Sequence, residues 1–168
     1  ISYFQHSKLS KIEYILDLLK QGKNLALVSD AGTPGINDPG GKLIEEAARK
    51  LGDSVRIVPI PGPNAAIAAL SVSGFKADKF LFLGYPPRKK GRKKFFADIS
   101  KSRYPVVFYE SVHRILKTLK ELMEFENLEG REAIVCRELT KKFETIYRGK
   151  IGEILTQIEK EKLGEFVV

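Results

Sequence analysis

Ser29-Asp30-Ala31-Gly32-Thr33-Pro34-Gly35-Ile36-Asn37-Asp38-Pro39-Gly40-Gly41 decides how this chain is to be read. The stretch lies between an apolar run, Leu25 to Val28, and an amphipathic one, Lys42 to Leu51. A strand that ends in glycine, proline, aspartate and small hydroxyl residues and then re-enters a helix is the carboxyl-end loop of an α/β sheet, where such sheets bind ligands. Its four glycines let backbone N–H groups approach a ligand closely, and its two prolines stiffen the path. Asp30 and Asp38 offer acceptors but no nucleophile, so the loop reads as a cradle. Neither common phosphate loop is present: no lysine follows the glycines at the G-x-x-x-x-G-K-[ST] spacing, and G-x-G-x-x-G is missing.

Working outward, Ser10-Lys11-Ile12-Glu13 matches a capping box, and Ile12, Ile15, Leu16 and Leu19 recur at helical spacing until Gly22. Ile1 to Gln5 alternates weakly, as the tail of a strand does. Beyond the loop, Leu43, Ile44, Ala47, Ala48 and Leu51 form a second helical stripe, and Val55 to Ile60 a second short strand. Strand, helix, strand in this order predicts a parallel sheet with right-handed crossovers. Pro61-Gly62-Pro63-Asn64 interrupts the second strand as sharply as the first loop interrupts its own. Asn64 then stands at the N-cap of a small-residue helix, Ala65 to Val72. Two strand ends thus present backbone donors side by side.

The apolar helix ends at Gly74 and polar residues follow, which places a domain boundary between residues 76 and 77. A strand over Lys79 to Gly84 is broken by Pro86 and Pro87. There follow Arg88, Lys89, Lys90, Gly91, Arg92, Lys93 and Lys94, with Gly91 the one uncharged member. Beside Tyr85, Phe95 and Phe96, this cationic run suits phosphate contacts with stacking surfaces next to them. Val106 to Tyr109 is a strand. Glu110-Ser111 leads into a helix carrying Val112, Ile115, Leu116, Leu119, Leu122 and Met123, with His113 and Arg114 in its first turn. Strands over Glu132 to Arg137 and Glu144 to Arg148, a helix on Ile151, Ile154, Leu155 and Ile158, and a strand from Gly164 to Val168 complete the pattern.

At this point the chain resembles a known family. S-D-A-G-T-P-G-I-N-D-P-G from Ser29, V-P-I-P-G-P-N-A-A-I-A-A-L-S-V-S-G at Val58 to Gly74, F-L-G-Y-P-P-R-K-K-G-R at Phe82 to Arg92, F-Y-E-S-V-H-R at Phe108 to Arg114 and R-E-L-T-K-K-F-E-T at Arg137 to Thr145 occur in order. Together they resemble the tetrapyrrole methylase superfamily and, within it, the ribosomal RNA small subunit methyltransferase I family. The resemblance implies S-adenosylmethionine-dependent 2′-O-methylation of a cytidine ribose in 16S rRNA. It also implies a homodimer of two-domain α/β subunits, with a mostly parallel N-terminal sheet (1–76) and a mixed C-terminal sheet (77–168). It assigns the cofactor to the cleft between the domains, held by Asp30, Ala31, Gly32, Thr33 and Pro34 and by Gly62, Pro63, Asn64 and Ala65. Family members carry a first strand with a T-P-I-G-N-L motif before the equivalent of Ile1 and continue past the equivalent of Val168, so an opening βα unit is expected to be missing here.

Of the ionisable residues, Glu110 and His113 form the one plausible acid/base pair for drawing a proton from a ribose hydroxyl. Arg88, Lys89, Lys90, Arg92, Lys93 and Lys94, extended by Lys141 and Lys142, are the expected RNA contacts. Arg137 and Glu138 either orient the ribose, bind RNA or form a structural ion pair. No metal is expected, because two histidines, one cysteine and scattered carboxylates show no ligand spacing.

The bulk properties are consistent with this. With 29 Lys and Arg against 21 Asp and Glu, the 168-residue chain has a net charge of +8, which favours a polyanionic partner. Cys136 has no intrachain partner and lies in an apolar strand, so disulfides are excluded within one chain and a reducing, cytoplasmic setting is expected. Two other functions fit parts of the pattern. A methylase of corrin or porphyrin precursors would have no use for the cationic run. A non-catalytic RNA-binding fragment would bind RNA without cofactor.

Overall fold

The computed structural model describes residues 1–4, 9–128, 130–159 and 164–168, and these divide into two compact units, Ile1–Asn64 and Ala65–Val168. The division precedes the expected boundary at 76/77. The small-residue helix that follows Asn64 buries Ala66 and Ala69 against Val107, Ile134, Cys136 and Val167 of the second unit.

In the first unit, helix α1 (Leu9–Lys20) turns Ile12, Ile15 and Leu16 inward. Ser10 is inside the helix rather than capping it. The far end follows the expectation: Gly22 is left-handed (φ 77°), its N–H bonds to Leu19 O and the Lys23 N–H to Leu18 O, a Schellman stop. Helix α2 (Gly41–Leu51) packs Leu43 and Ala47 against α1. The segments 24–28 and 55–60, expected as parallel strands, carry no ladder among the described residues. Their apolar side chains stay open to solvent, Val28 at 82% and Ile60 at 76% exposure. The expected N-terminal parallel sheet is therefore corrected: a strand needs a hydrogen-bonded neighbour, and apolar composition does not supply one. Ile1 to Phe4 form no regular element, and Gln5 lies outside the described residues.

The second unit opens with helix α3 (Ala65–Ser71) and continues through β1 (Leu81–Phe82), α4 (Arg92–Lys101), β2 (Val106–Val107), β3 (Tyr109–Ser111), α5 (Ile115–Met123), β4 (Glu132–Arg137), β5 (Thr145–Lys150), α6 (Ile151–Ile158) and β6 (Glu165–Val167). β1 and β2 pair in parallel, while β3, β6, β4 and β5 form an antiparallel sheet in that order. Backbone bonds join the two sheets. Phe108 and Val168 exchange N–H···O bonds of 2.9 Å, and the Tyr109 N–H reaches Gly84 O at 2.9 Å. The result is the mixed C-terminal sheet that was expected, and the chain is α/β.

Alternation along the strands sets three layers. Val135, Tyr147 and Phe166 face α4, α5 and α6, where Phe96, Leu119, Ile154 and Ile158 are buried, while Ile134, Cys136 and Val167 face α3 on the other side. Both faces are covered, which is why Ala133 to Cys136 is an unbroken apolar run. Each fully buried leucine or isoleucine here contributes roughly 1.5–3 kcal/mol. No helix among the described residues is long and apolar enough to cross a membrane.

Candidate functional site: a tied loop pair and an arginine-held cationic turn

The two cradle loops meet in the first unit. The Thr33 N–H and its hydroxyl both bond to Pro63 O, at 3.1 and 3.3 Å. A Cβ on Gly62 would come within 3.0 Å of Thr33 Oγ1, and one on Gly32 within 3.2 Å of Pro63 O. Gly32 also holds φ 74°, a left-handed conformation that costs an L-residue about 1 kcal/mol or more. Ser29 supports the first turn by donating its hydroxyl to Ala31 O at 3.1 Å. Asp30, Ala31 and Gly32 are exposed, Thr33 and Pro34 half-buried. Gly62 and Pro63 are exposed, Asn64 is half-buried, and Ala65 follows as the first residue of α3.

Glu110 is not placed as a proton acceptor. Its carboxylate is wholly buried and accepts hydrogen bonds from the Ser111 N–H (2.8 Å) and the Thr118 hydroxyl (2.6 Å), and Arg114 pairs with it at 2.8 Å. It belongs to strand β3, whereas His113 is exposed in the turn that precedes α5. The expected Glu110–His113 pair is thus corrected: strand geometry turns Glu110 into the protein, and its acceptor positions are taken there.

The cationic run is also divided by the fold. Arg88, Lys89 and Lys90 are exposed in the turn after Pro87. Arg92 to Lys94 are the first turn of α4, a helix that the density of charge concealed. Lys93 and Lys94 are exposed, and Lys94 pairs with Asp98 at 2.7 Å. Arg92 is only 7% exposed. It donates to Pro87 O (3.0 Å), Thr118 Oγ1 (2.6 Å) and Glu121, and lies over the Phe96 ring. Arg92 is therefore removed from the expected RNA contacts, because all its directions are used internally. Phe96 is core and Phe95 packs against it, so of the three adjacent aromatics only Tyr85 remains exposed.

Lys141 bridges Glu165 (2.9 Å) and Glu138 (3.2 Å), which raises its pKa. Glu138 accepts from the Glu165 N–H at 2.9 Å, and this bond, with Lys141, lowers its pKa. The ion pair that Glu138 forms is with Lys141, whereas the expectation named Arg137 as its partner. Lys142 is exposed beside the Phe143 ring. Cys136 is fully buried, and burial pushes its thiol up to about 11. Among the described residues no three His, Cys, Asp or Glu side chains gather into a metal-holding group.

A mixed α/β sheet in the second unit and a pair of tied glycine loops in the first are features of a methylase of the tetrapyrrole class, and the chain belongs to that family: the family model of Tetrapyrrole (Corrin/Porphyrin) Methylases matches residues 5–155. Within it, the chain falls among the proteins named Ribosomal RNA small subunit methyltransferase I. It is 40% identical over 169 residues to that of Thermotoga maritima, covering all of this chain and 74% of the relative. It is 42% identical to those of Escherichia coli O157:H7 and Bacillus subtilis, covering 97% and 99% of this chain. The chain spans just over half the length of those two relatives, 57% and 56%. Among solved structures, the methyltransferase CobJ matches with TM-score 0.65 at 20% identity, over 97% of this chain and 71% of that one. The cobalt precorrin-4 methyltransferase CbiF matches at 0.62 and 18%, over 96% and 71%. These two share the fold. The identity to the ribosomal RNA enzymes is twofold higher, so the corrin reading is not favoured.

The family is one of S-adenosylmethionine-dependent methyltransferases, and the residues present fit that cofactor. Side-chain-free positions at Gly32 and Gly62 stand where a Cβ would press on the opposite loop. Exposed Asp30 supplies an acceptor, and the tie between Thr33 and Pro63 holds the cradle in one shape. When bound, the cofactor supplies an electrophilic methyl group on a sulfonium.

Proposed function

We propose that the protein methylates the 2′-hydroxyl of a cytidine ribose in 16S rRNA of the small ribosomal subunit. Asp30, Ala31, Gly32, Thr33, Pro34, Gly62, Pro63, Asn64 and Ala65 hold S-adenosylmethionine in this reading. Residues 1–76 serve as the cofactor domain and 77–168 as the second in this reading. The observation that carries the choice of substrate is the exposed turn Arg88, Lys89 and Lys90 with Lys93 beside it. A small tetrapyrrole has no use for four clustered free cations, whereas each phosphate neutralised on RNA releases counterions.

Catalysis rests chiefly on positioning. Displacement at a methyl group needs the hydroxyl in line, and good alignment supplies up to roughly 7–11 kcal/mol of barrier reduction. With Glu110 engaged elsewhere, exposed His113 is the candidate for taking the hydroxyl proton. Lys94 and Lys142 extend the RNA surface. Lys141 stays in the proposed set through its exposed ammonium, although its charge is already shared with Glu138 and Glu165. A homodimer and a cytoplasmic location complete the proposal, the latter supported by an rRNA substrate and by the lone thiol.

Incubating the purified protein with methyl-labelled S-adenosylmethionine and either 16S rRNA or small subunits lacking the modification tests this. Label on one cytidine ribose is expected. Label on no RNA, together with measurable cofactor binding, would overturn the substrate assignment.

A further inference from the structure

We infer that Glu110 is a positioning residue whose buried polar cluster holds the cationic turn in place by its two proline carbonyls. The inference rests on the RNA reading only for the purpose of the turn, not for the way it is held.

The cluster is a chain of bonds with Glu110 at its centre. On one side Arg114, paired with the carboxylate at 2.8 Å, donates its other guanidinium nitrogen to Pro86 O at 2.9 Å. On the other side the Thr118 hydroxyl donates to Glu110 at 2.6 Å and accepts from Arg92, which donates to Pro87 O at 3.0 Å. The Glu121 carboxylate takes the Arg92 Nε–H. Two arginines from different helix starts thus grasp consecutive carbonyls, and both are oriented by one carboxylate. Among the described residues, every buried side-chain nitrogen and oxygen has a partner.

The choice of residues follows from this arrangement. Proline has no N–H, so Pro86 and Pro87 cannot be held through amide donors and are held through their oxygens. Arginine's rigid fork lets one side chain meet a carboxylate and a carbonyl together, which a lysine cannot reproduce. The turn that begins at Pro87 carries Arg88, Lys89 and Lys90, all exposed and mutually repelling. The first turn of α4 adds Lys93 and Lys94 at a helix end already positive from its free N–H groups. Like charges concentrated there oppose an ordered turn, and the grip on Pro86 and Pro87 opposes that spreading. Holding the turn in advance spares ordering entropy when phosphates bind.

Glu110→Ala would take from half-buried Arg114 its counter-charge and from the buried Thr118 hydroxyl its acceptor, and risks unfolding the protein, so Thr118 is the better probe. Thr118→Val keeps the shape and removes the relay, and Thr118→Ser restores the hydroxyl. Three quantities are read on each: the rate of tryptic cleavage after Arg88, Lys89 and Lys90 below the unfolding transition, affinity for 16S rRNA, and affinity for S-adenosylmethionine. For Thr118→Val we expect cleavage at these sites to accelerate about thirtyfold, the factor set by the two lost hydrogen bonds of the hydroxyl. RNA affinity falls by a similar factor, cofactor affinity is unchanged, and Thr118→Ser returns both to near the parent. Unchanged cleavage at the turn in Thr118→Val would overturn the positioning role. Faster cleavage with RNA affinity intact would uphold the grip on the turn and overturn the RNA reading.

Discussion

Thr33 spends both of its donors, the amide N–H at 3.1 Å and the hydroxyl at 3.3 Å, on the single carbonyl of Pro63, thirty residues away. Pro63 has no N–H to return, so the tie runs one way and leaves its partner loop's own amides uncommitted to Thr33. Two loops that each follow an apolar segment and share a Gly/Pro composition are thereby locked at a fixed separation, with Gly32 and Gly62 at the points of closest approach.

That lock predicts how cofactor binding responds to substitution. Gly32→Ala introduces a Cβ 3.2 Å from Pro63 O at φ 74°, so the loops must part. S-adenosylmethionine affinity measured by calorimetry is expected to fall at least about tenfold, in line with the ~1–2 kcal/mol left-handed penalty of an L-residue. Asp30→Ala, at an exposed position, is expected to lose cofactor binding while leaving the free energy of unfolding within about 0.5 kcal/mol of the parent. Unchanged affinity in both would remove the cofactor assignment.

The cationic surface separates by burial. Replacing Arg88, Lys89, Lys90 and Lys93 together with serine is expected to weaken RNA binding and to flatten its salt dependence by about 3 in slope, with the fold intact. Arg92→Ser is expected to do the opposite: it removes the partner of Glu121, Thr118 and Pro87 O and destabilises by about 3 kcal/mol or more. Filter binding over a salt series and denaturant unfolding distinguish the two. An Arg92 variant of full stability and reduced salt slope would return Arg92 to the RNA face.

Helix α2 carries an acid-labile device. Glu46 is met by Arg49, Lys42 (3.1 Å) and Lys50 (3.5 Å), and Arg49 foremost holds its pKa down at about 2 from the ordinary 4.5. A carboxyl whose folded pKa is depressed stabilises above its unfolded pKa and ceases to as pH falls through the folded one. The advantage of the parent over Glu46→Gln in urea unfolding should therefore be full at pH 7, shrink below pH 4.5 and vanish near pH 2. It should also shrink with added salt, because Arg49 and Lys42 are solvent-exposed. A pH-independent difference would show that Glu46 acts through packing alone.

Cys136 has no exposure, and burial alone accounts for most of its thiol's rise to about 11. Thiolate is the reactive form. Labelling by an alkylating reagent at pH 8 is expected to proceed only as fast as the sheet opens, and urea should accelerate it in step with unfolding. Rapid labelling of the native protein would place Cys136 in a mobile strand instead.

Local rules made much of the second unit legible. The hairpin of β4 and β5, the stripe of α6 and the small-residue helix α3 each depend on a period or a cap that a few neighbouring residues carry. The cap at Gly22 was legible for the same reason. Three features were not. Helix α4 begins inside a run of six cations that reads as loop, since its apolar signal, Phe96 and Ile99, comes only after the charges. Glu110 sits in a strand, not a helix start, because Ser111 pairs with Glu165, a partner 54 residues on. Segments 24–28 and 55–60 look like strands from composition, but a ladder requires a second backbone at 4.7–4.9 Å, which apolar residues alone cannot summon.

What the amino-acid order determined by itself is what adjacent residues can settle: helical stripes, glycine stops, the family's ordered motifs and the net positive charge. The tertiary structure decided which members of each set face inward. Arg88 and Arg92 are four residues apart with the same chemistry, yet one is solvated and the other is buried over Phe96, because burial depends on what another part of the chain brings. Thr118, Glu110 and Glu121 arrive from β3 and α5, and only their arrival supplies the hydrogen bonds that let a guanidinium leave water.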